Sequence, residues 1–438
     1  MRRNKTFGIA ALLAIAVFSI LAVLFEPQHP ASEEPFNSGD IAWMLTATAL
    51  VLLMTPGLSF FYGGMVRAKN MISTLLQSFI ALGVISIFWY VVGFSLAFGD
   101  SLGGIIGDPL THVFFHNVGT ASHPVIASGI PFILFAAFQL KFAIITPALI
   151  TGSFAERVRF WSYVIFICLF SLLIYCPLAH MTWHPDGLLA QLGVLDFAGG
   201  TVVHISAGLA AIAGAKYLGK RDLNGSSGED PVHIPYVILG TGLLWFGWFG
   251  FNSGSALAAD EVSVTALWNT HLASAAAMIT WIVADAARGK RPGALGACIG
   301  AVVGLVAITP AAGFVTAGPG LFIGVAAALV SNLAMHAMSR RSALDDTLDV
   351  FACHGLGGIT GMILTAVFAV DGGWYTTGDS SLFLLHILVL AVLIPLILAA
   401  SWLIYFITDK IAPLRVTSEQ EQLGLDMSQH NELIKGFG

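Results

Sequence analysis

Apolar runs of about twenty residues, separated by short polar joins, recur along almost the whole chain. They fall near residues 41–64, 71–98, 129–150, 160–180, 197–217, 235–258, 264–286, 293–312, 320–338, 350–370 and 383–408. Each is long enough to cross a hydrocarbon core of roughly 30 Å as a helix. The pattern predicts an all-α polytopic membrane protein with eleven transmembrane helices over residues 40–408, followed by a tail over 409–438. Residues 7–25 form one more apolar run behind the basic start MRRNK. Within residues 1–31 this reads as a signal peptide or as an extra N-terminal helix. The polar stretch EPQHPASEEPFNSGD favours the first, whereas the length of the run and the lack of an A-x-A site favour the second.

Composition agrees with the pattern. The chain is 57% hydrophobic and only 10% charged, where a soluble domain carries about 25% charged residues. Lys and Arg cluster at Arg67/Lys69, Arg157/Arg159, Lys216/Lys220/Arg221, Arg288/Lys290/Arg291, Arg340/Arg341 and Lys410/Arg415/Lys435, in alternate joins and the tail. Joins 99–128, 181–195, 313–319 and 371–382 have none. Basic residues stay on the cytoplasmic side, so the tail is expected in the cytoplasm, under an inner (plasma) membrane. The four cysteines are scattered with no CxxC pair, which suggests neither a metal site nor a disulfide framework.

Ionisable groups inside such helices are costly and mark candidate sites. Asp196 and His204 sit in LDFAGGTVVH, and His354 sits in FACHGLGG beside Asp349. The fifth and tenth helices carrying the histidines are an odd number of spans apart, so they run in opposite directions. Two inverted five-helix repeats, plus one extra helix, would place the histidines at the centre of the repeat interface. The plainer reading makes each imidazole a packing residue bonded to a nearby carbonyl. Asp196 reads first as a helix cap, accepting from the free amides of the first turn, and second as a ligand contact. Phe138 and Phe142 are i, i+4 and share a helix face. Trp248, Phe251 and Ser255 line one face of the sixth helix, and Trp183 lies in a join. Such rings are commonly core, yet aromatic faces also attract small cations.

Taken together, MTPGLSFFYGGMVRAKN, GSFAERVRF, LDFAGGTVVH, GWFGFNSGS, ITPAAG, DDTLDVFACHGLGG and GLDMSQHNE resemble the ammonium transporter (Amt/Mep/Rh) family on its Amt branch. The resemblance implies a homotrimer in which each protomer holds its own narrow pore. It implies recruitment of ammonium by Phe142, Trp183 and Ser255 with Phe138 close by, and a gate of Phe142 over Phe251. His204 and His354 would be the twin pore histidines, and Asp196 the buried acid supporting the mouth, with Trp248 as a second supporting residue. It further implies a regulatory tail and a PII-type signalling protein at the cytoplasmic exit, and it leaves open whether methylammonium is a further substrate. No cofactor, metal or nucleic acid is implied.

Lys141, between Phe138 and Phe142, departs from the family pattern, which has a small or uncharged residue there. Either its stem packs along the helix and the amine snorkels to a polar region, or the amine reaches the mouth as a tethered mimic of ammonium. The second reading goes with an ammonium sensor or transport-impaired relative on the same scaffold. An enzyme reading finds no support: the histidines lack ligand-spaced companions and there is no HExxH.

Overall fold

A computed structural model describes residues 2–24, 36–222, 233–341 and 344–434. Ten helices are long and apolar enough to cross a membrane among the described residues. An N-terminal helix, α1 (Arg2–Leu24), precedes them and leaves Leu12, Leu13 and Ile20 exposed. The spanning helices are α2 (Ser38–Gly63), α3 (Ala68–Phe98), α4 (Phe132–Phe154), α5 (Phe160–Gln191), α6 (Gly200–Leu218), α7 (Ile234–Ala256) and α8 (Glu261–Ala287). After the shorter α9 (Ala294–Ile308) come α10 (Ala317–Ser339), α11 (Phe351–Phe368) and α12 (Ser381–Ile411).

These helices follow the hydropathy pattern segment by segment, with two corrections. The run expected over 293–312 is helical only to Ile308, because Thr309–Gly313 turn and the chain reverses at Ala311–Phe314. The fifth segment opens at Gly200 rather than at 197, because Gly199 takes a left-handed φ of 105°. Residues 196–199 therefore form a turn ahead of the helix.

Small residues let the helices touch. A Cβ on Gly240 would lie 2.3 Å from the Phe61 amide nitrogen, and one on Gly247 2.3 Å from Met54. Helices α2 and α7 thus pack backbone to backbone along their length, which is how membrane helices associate where lipid is as apolar as the side chains. The outer flank of α12 leaves Leu388, Val392 and Leu396 exposed, as a lipid-facing surface requires.

Charge collects on the tail face. The Glu156 carboxylate is buried and accepts from the Arg67 amide and Nε at 2.8 and 2.7 Å. Arg221 joins Glu156 to Asp345, and Arg157 reaches Asp345, Thr347 and the Ser153 carbonyl. The tail docks onto this cluster. Arg415 binds the Leu218 and Lys220 carbonyls and pairs with Glu421 at 3.0 Å. The Asp426 carboxylate accepts from the Ile72 and Ser73 amides near the start of α3, satisfying helix-end donors with a group 354 and 353 residues away in sequence.

Helices α6 and α11 cross closely, and a Cβ on Gly208 would fall 2.2 Å from the Gly355 amide nitrogen. Gly208→Leu should therefore cost about 3 kcal/mol of stability through overpacking. Thermal unfolding in detergent checks this; an unchanged midpoint would show that the crossing has slack.

Candidate functional site

Both α6 and α11 begin with a wide π-type turn, Gly200–Ile205 and Phe351–Gly355, and each turn carries one histidine. Such turns are rare and recur at functional sites. Each histidine is followed four residues on by a glycine. Gly208 seats against Gly355, and Gly358 seats against Ile205 and the His204 Cβ. This mutual contact of bare backbone brings the imidazoles together: Nδ1 of His354 lies 3.3 Å from Nδ1 of His204, with rings 5.4 Å apart and 22° from parallel. Both rings are buried. One Nδ1 must donate and the other accept, so the two Nε2 atoms differ: one keeps a lone pair and the other carries a proton. Among the described residues, His204 Nε2 has no hydrogen-bond partner.

A carboxylate anchors each turn. Asp196 accepts from the Gly199 and Gly200 amides at 3.0 and 2.6 Å and from the Thr201 amide at 2.8 Å. Burial pushes the Asp196 carboxyl up from its ordinary range, and the Thr201, Gly200 and Gly199 amides oppose that rise. On the opposite face, Asp346 accepts from the Phe351 amide at 2.8 Å. Asp346 precedes His354 by the same eight residues that separate Asp196 from His204. Sequence reasoning fastened on Asp349 and missed Asp346; the repeated Asp-to-His interval was the signal. Since Asp196 lies at the join side of α6 and Asp346 at the tail side of α11, the two turns point into the membrane from opposite faces.

Above the His pair stands a column of rings. His204 stacks on Trp248 at 5.3 Å, and Phe251 lies 6.1 Å from His204. Trp248 is fixed by its indole N–H to Thr309 Oγ1 at 3.0 Å. Phe142 and Phe251 overlap at 4.2 Å, and Phe138 meets Phe142 edge-on at 4.9 Å. Trp183 caps the column 5.8 Å from Phe142, and its indole N–H donates to the Asp196 carbonyl at 3.3 Å. The Ser255 hydroxyl donates to the Phe251 carbonyl at 2.9 Å, leaving its oxygen lone pairs available. Below the pair, His354 faces a narrow cavity walled by Phe61, Tyr62, Met65, Ile299 and Val302.

The structure thus brings Phe138, Phe142, Trp183, Trp248, Phe251, His204 and His354 into one column, with Asp196 and Ser255 at its upper end. Lys141 lies apart. It is half-buried on the flank of α4 that carries Ala137 and the exposed Ile133, whereas Phe138 and Phe142 are fully buried. Among the described residues its amine has no hydrogen-bond or ion-pair partner.

Fold and site together define a multi-pass membrane protein with a column of packed aromatic rings above a buried imidazole pair. The sequence model described as the Ammonium Transporter Family matches residues 42–434, and the chain belongs to that family. It is 41% identical over 426 residues to the ammonium transporter of Aquifex aeolicus, covering 96% of this chain and 98% of that one. It is 43% identical over 405 residues to the ammonium transporter of Bacillus subtilis, covering 90% and 98%. The crystal structure of Saccharomyces cerevisiae Mep2 superposes with a TM-score of 0.81 at 33% identity, covering 88% of this chain and 89% of that one. A structure titled Sensor Amt Protein does so with a TM-score of 0.81 at 30% identity, covering 90% and 98%.

Asp196→Ala would strand three buried amides, each costing about 1–3 kcal/mol when unpaired. Unfolding titrations should show a loss of at least about 2 kcal/mol, with Asp196→Asn losing less because its amide oxygen still accepts. Equal losses would assign the effect to charge and not to capping.

Proposed function

We propose that this protein carries ammonium across the membrane by taking the proton off at the mouth and passing ammonia along the His204–His354 pair. The observation that carries this reading is the 3.3 Å contact between the two Nδ1 atoms directly beneath the aromatic column. Ammonium donates to the Ser255 oxygen and rests against the faces of Phe142 and Trp183, with Phe138 close by. Cation–π attraction is worth about 2 kcal/mol when the site is desolvated. Carrying the charge onward through apolar walls would cost far more. Loss of a proton removes most of that cost, and neutral ammonia passes the Phe142–Phe251 gate. A pair sharing one hydrogen bond offers both a donor and an acceptor to ammonia and a separate route for the proton. Potassium has no proton to lose and is rejected. Asp196 holds the mouth by pinning the start of α6 to Trp183, and Trp248 supports the ring of His204.

In this reading the tail face lies in the cytoplasm beneath the plasma membrane, three chains assemble as a homotrimer, and residues 409–438 with a PII-type protein regulate the exit. The clustering of Arg and Lys on the tail side supports the orientation. Current recorded from proteoliposomes tests the function: ammonium pulses should produce a transient that equimolar potassium does not. No response to ammonium would favour the sensor reading.

Lys141 bears on the same choice. Its place on the outer flank of α4 supports a snorkelling amine. Lys141→Ser should therefore leave ammonium uptake within about twofold of the unaltered protein. A tenfold gain would instead put the amine in the mouth.

A further inference from the structure

The join between α3 and α4, residues 99–131, folds into a structure of its own on the face opposite the tail. A two-stranded hairpin pairs Ser101–Leu102 with Ile106–Gly107. Phe114, Phe115 and Asn117 follow with positive φ, and His123 bridges to Ala127. Long joins with this much internal order are commonly functional. Against the end of α5 the join forms one side of an open cleft of about 670 Å³, within the roughly 300–1,000 Å³ range of small-molecule sites.

Its chemistry is one-sided. Asp100 and Asp186 stand at the rim, His112, His123 and His184 line the wall, and Phe98 gives an apolar edge. No lysine or arginine lines it. His112 and His184 are each only 6% exposed. His112 Nδ1 lies 3.0 Å from the His116 carbonyl and must donate to it, so in the neutral ring Nε2 is an acceptor. His184 Nδ1 accepts from the Asp186 amide at 3.1 Å, and His123 Nδ1 accepts from the Ile126 amide at 3.1 Å. Among the described residues, Nε2 of His112 and of His184 has no hydrogen-bond partner. Burial lowers the pKa of His112 and His123, which keeps their rings uncharged near neutrality and leaves the carboxylates to set the sign.

We propose that this cleft binds a small protonated organic amine, larger than ammonium, held by Asp100 and Asp186 with the His112 Nε2 lone pair as a further acceptor. An anion is disfavoured by two carboxylates with no cationic side chain. A chelated metal is disfavoured because no three His, Cys, Asp or Glu side chains converge as ligands among the described residues. Bare ammonium would fill a small fraction of the space. The site is separate from the ring column, although His184 directly follows Trp183.

Calorimetry on the purified full-length protein with 1,4-diaminobutane as probe tests this. Saturable binding of one molecule per chain is expected. Asp100→Asn/Asp186→Asn, which alters two exposed side chains and should leave the elution profile unchanged, should weaken binding at least tenfold. Ser255→Ala, at the pore mouth, should leave it within twofold. Absence of saturable heat, equal affinity in the double variant, or loss confined to Ser255→Ala would overturn the proposal.

Discussion

The arrangement depends on two helices meeting with no side chains between them. At the Gly208–Gly355 contact the backbones of α6 and α11 come so close that a single methyl group does not fit. That proximity sets the separation of the histidines, which sit at the same stage of the two π-type turns. A π-type turn leaves donors at its start without intrahelical partners, and buried donors must be satisfied. Asp196 and Asp346 do this from opposite faces. The carboxylates, turns, histidines and glycines therefore form one unit repeated twice in opposite senses, in keeping with two inverted halves.

Polar groups are placed so that the ring column stays apolar. On one face, Trp183 ties the top of the column to the Asp196 carbonyl. On the other, Glu156, Arg67, Arg221, Arg157 and Asp345 pair with one another where α2, α4 and α6 end and α11 begins. Removing one partner of such a buried network is expected to cost more than the pair contributes, because the remaining charge stays buried. The tail adds Arg415, Glu421 and Asp426 to the same face, so its position is coupled to the ends of several spanning helices.

Much of this was legible in the sequence because it is local. Hydropathy alone located the spanning segments, and the scarcity of ionisable groups within them singled out His204, His354 and Lys141. Asp196 was readable as a cap because it lies only four residues before the first residue of its own helix, Gly200. Asp346 was hidden among Asp345, Asp349 and the intervening residues of DDTLD, where proximity to His354 pointed to the wrong carboxylate. The π-type turns depend on a helix pressing from another part of the chain, and no periodicity announces them. The docking of Asp426 on α3 and the folded join over residues 99–131 are likewise long-range. Lys141 lies three residues past Phe138, about 60° short of a full turn, which is enough to move it from the buried side of α4 to its flank.

The central claim is that the imidazole pair makes the path selective for a molecule that can give up its proton. The direct measurement is current through His204→Ala/His354→Ala protein in liposomes, with ammonium and potassium applied in turn. The account predicts that ammonium current is lost or that potassium begins to pass. An ammonium current that persists while potassium is still rejected would contradict it.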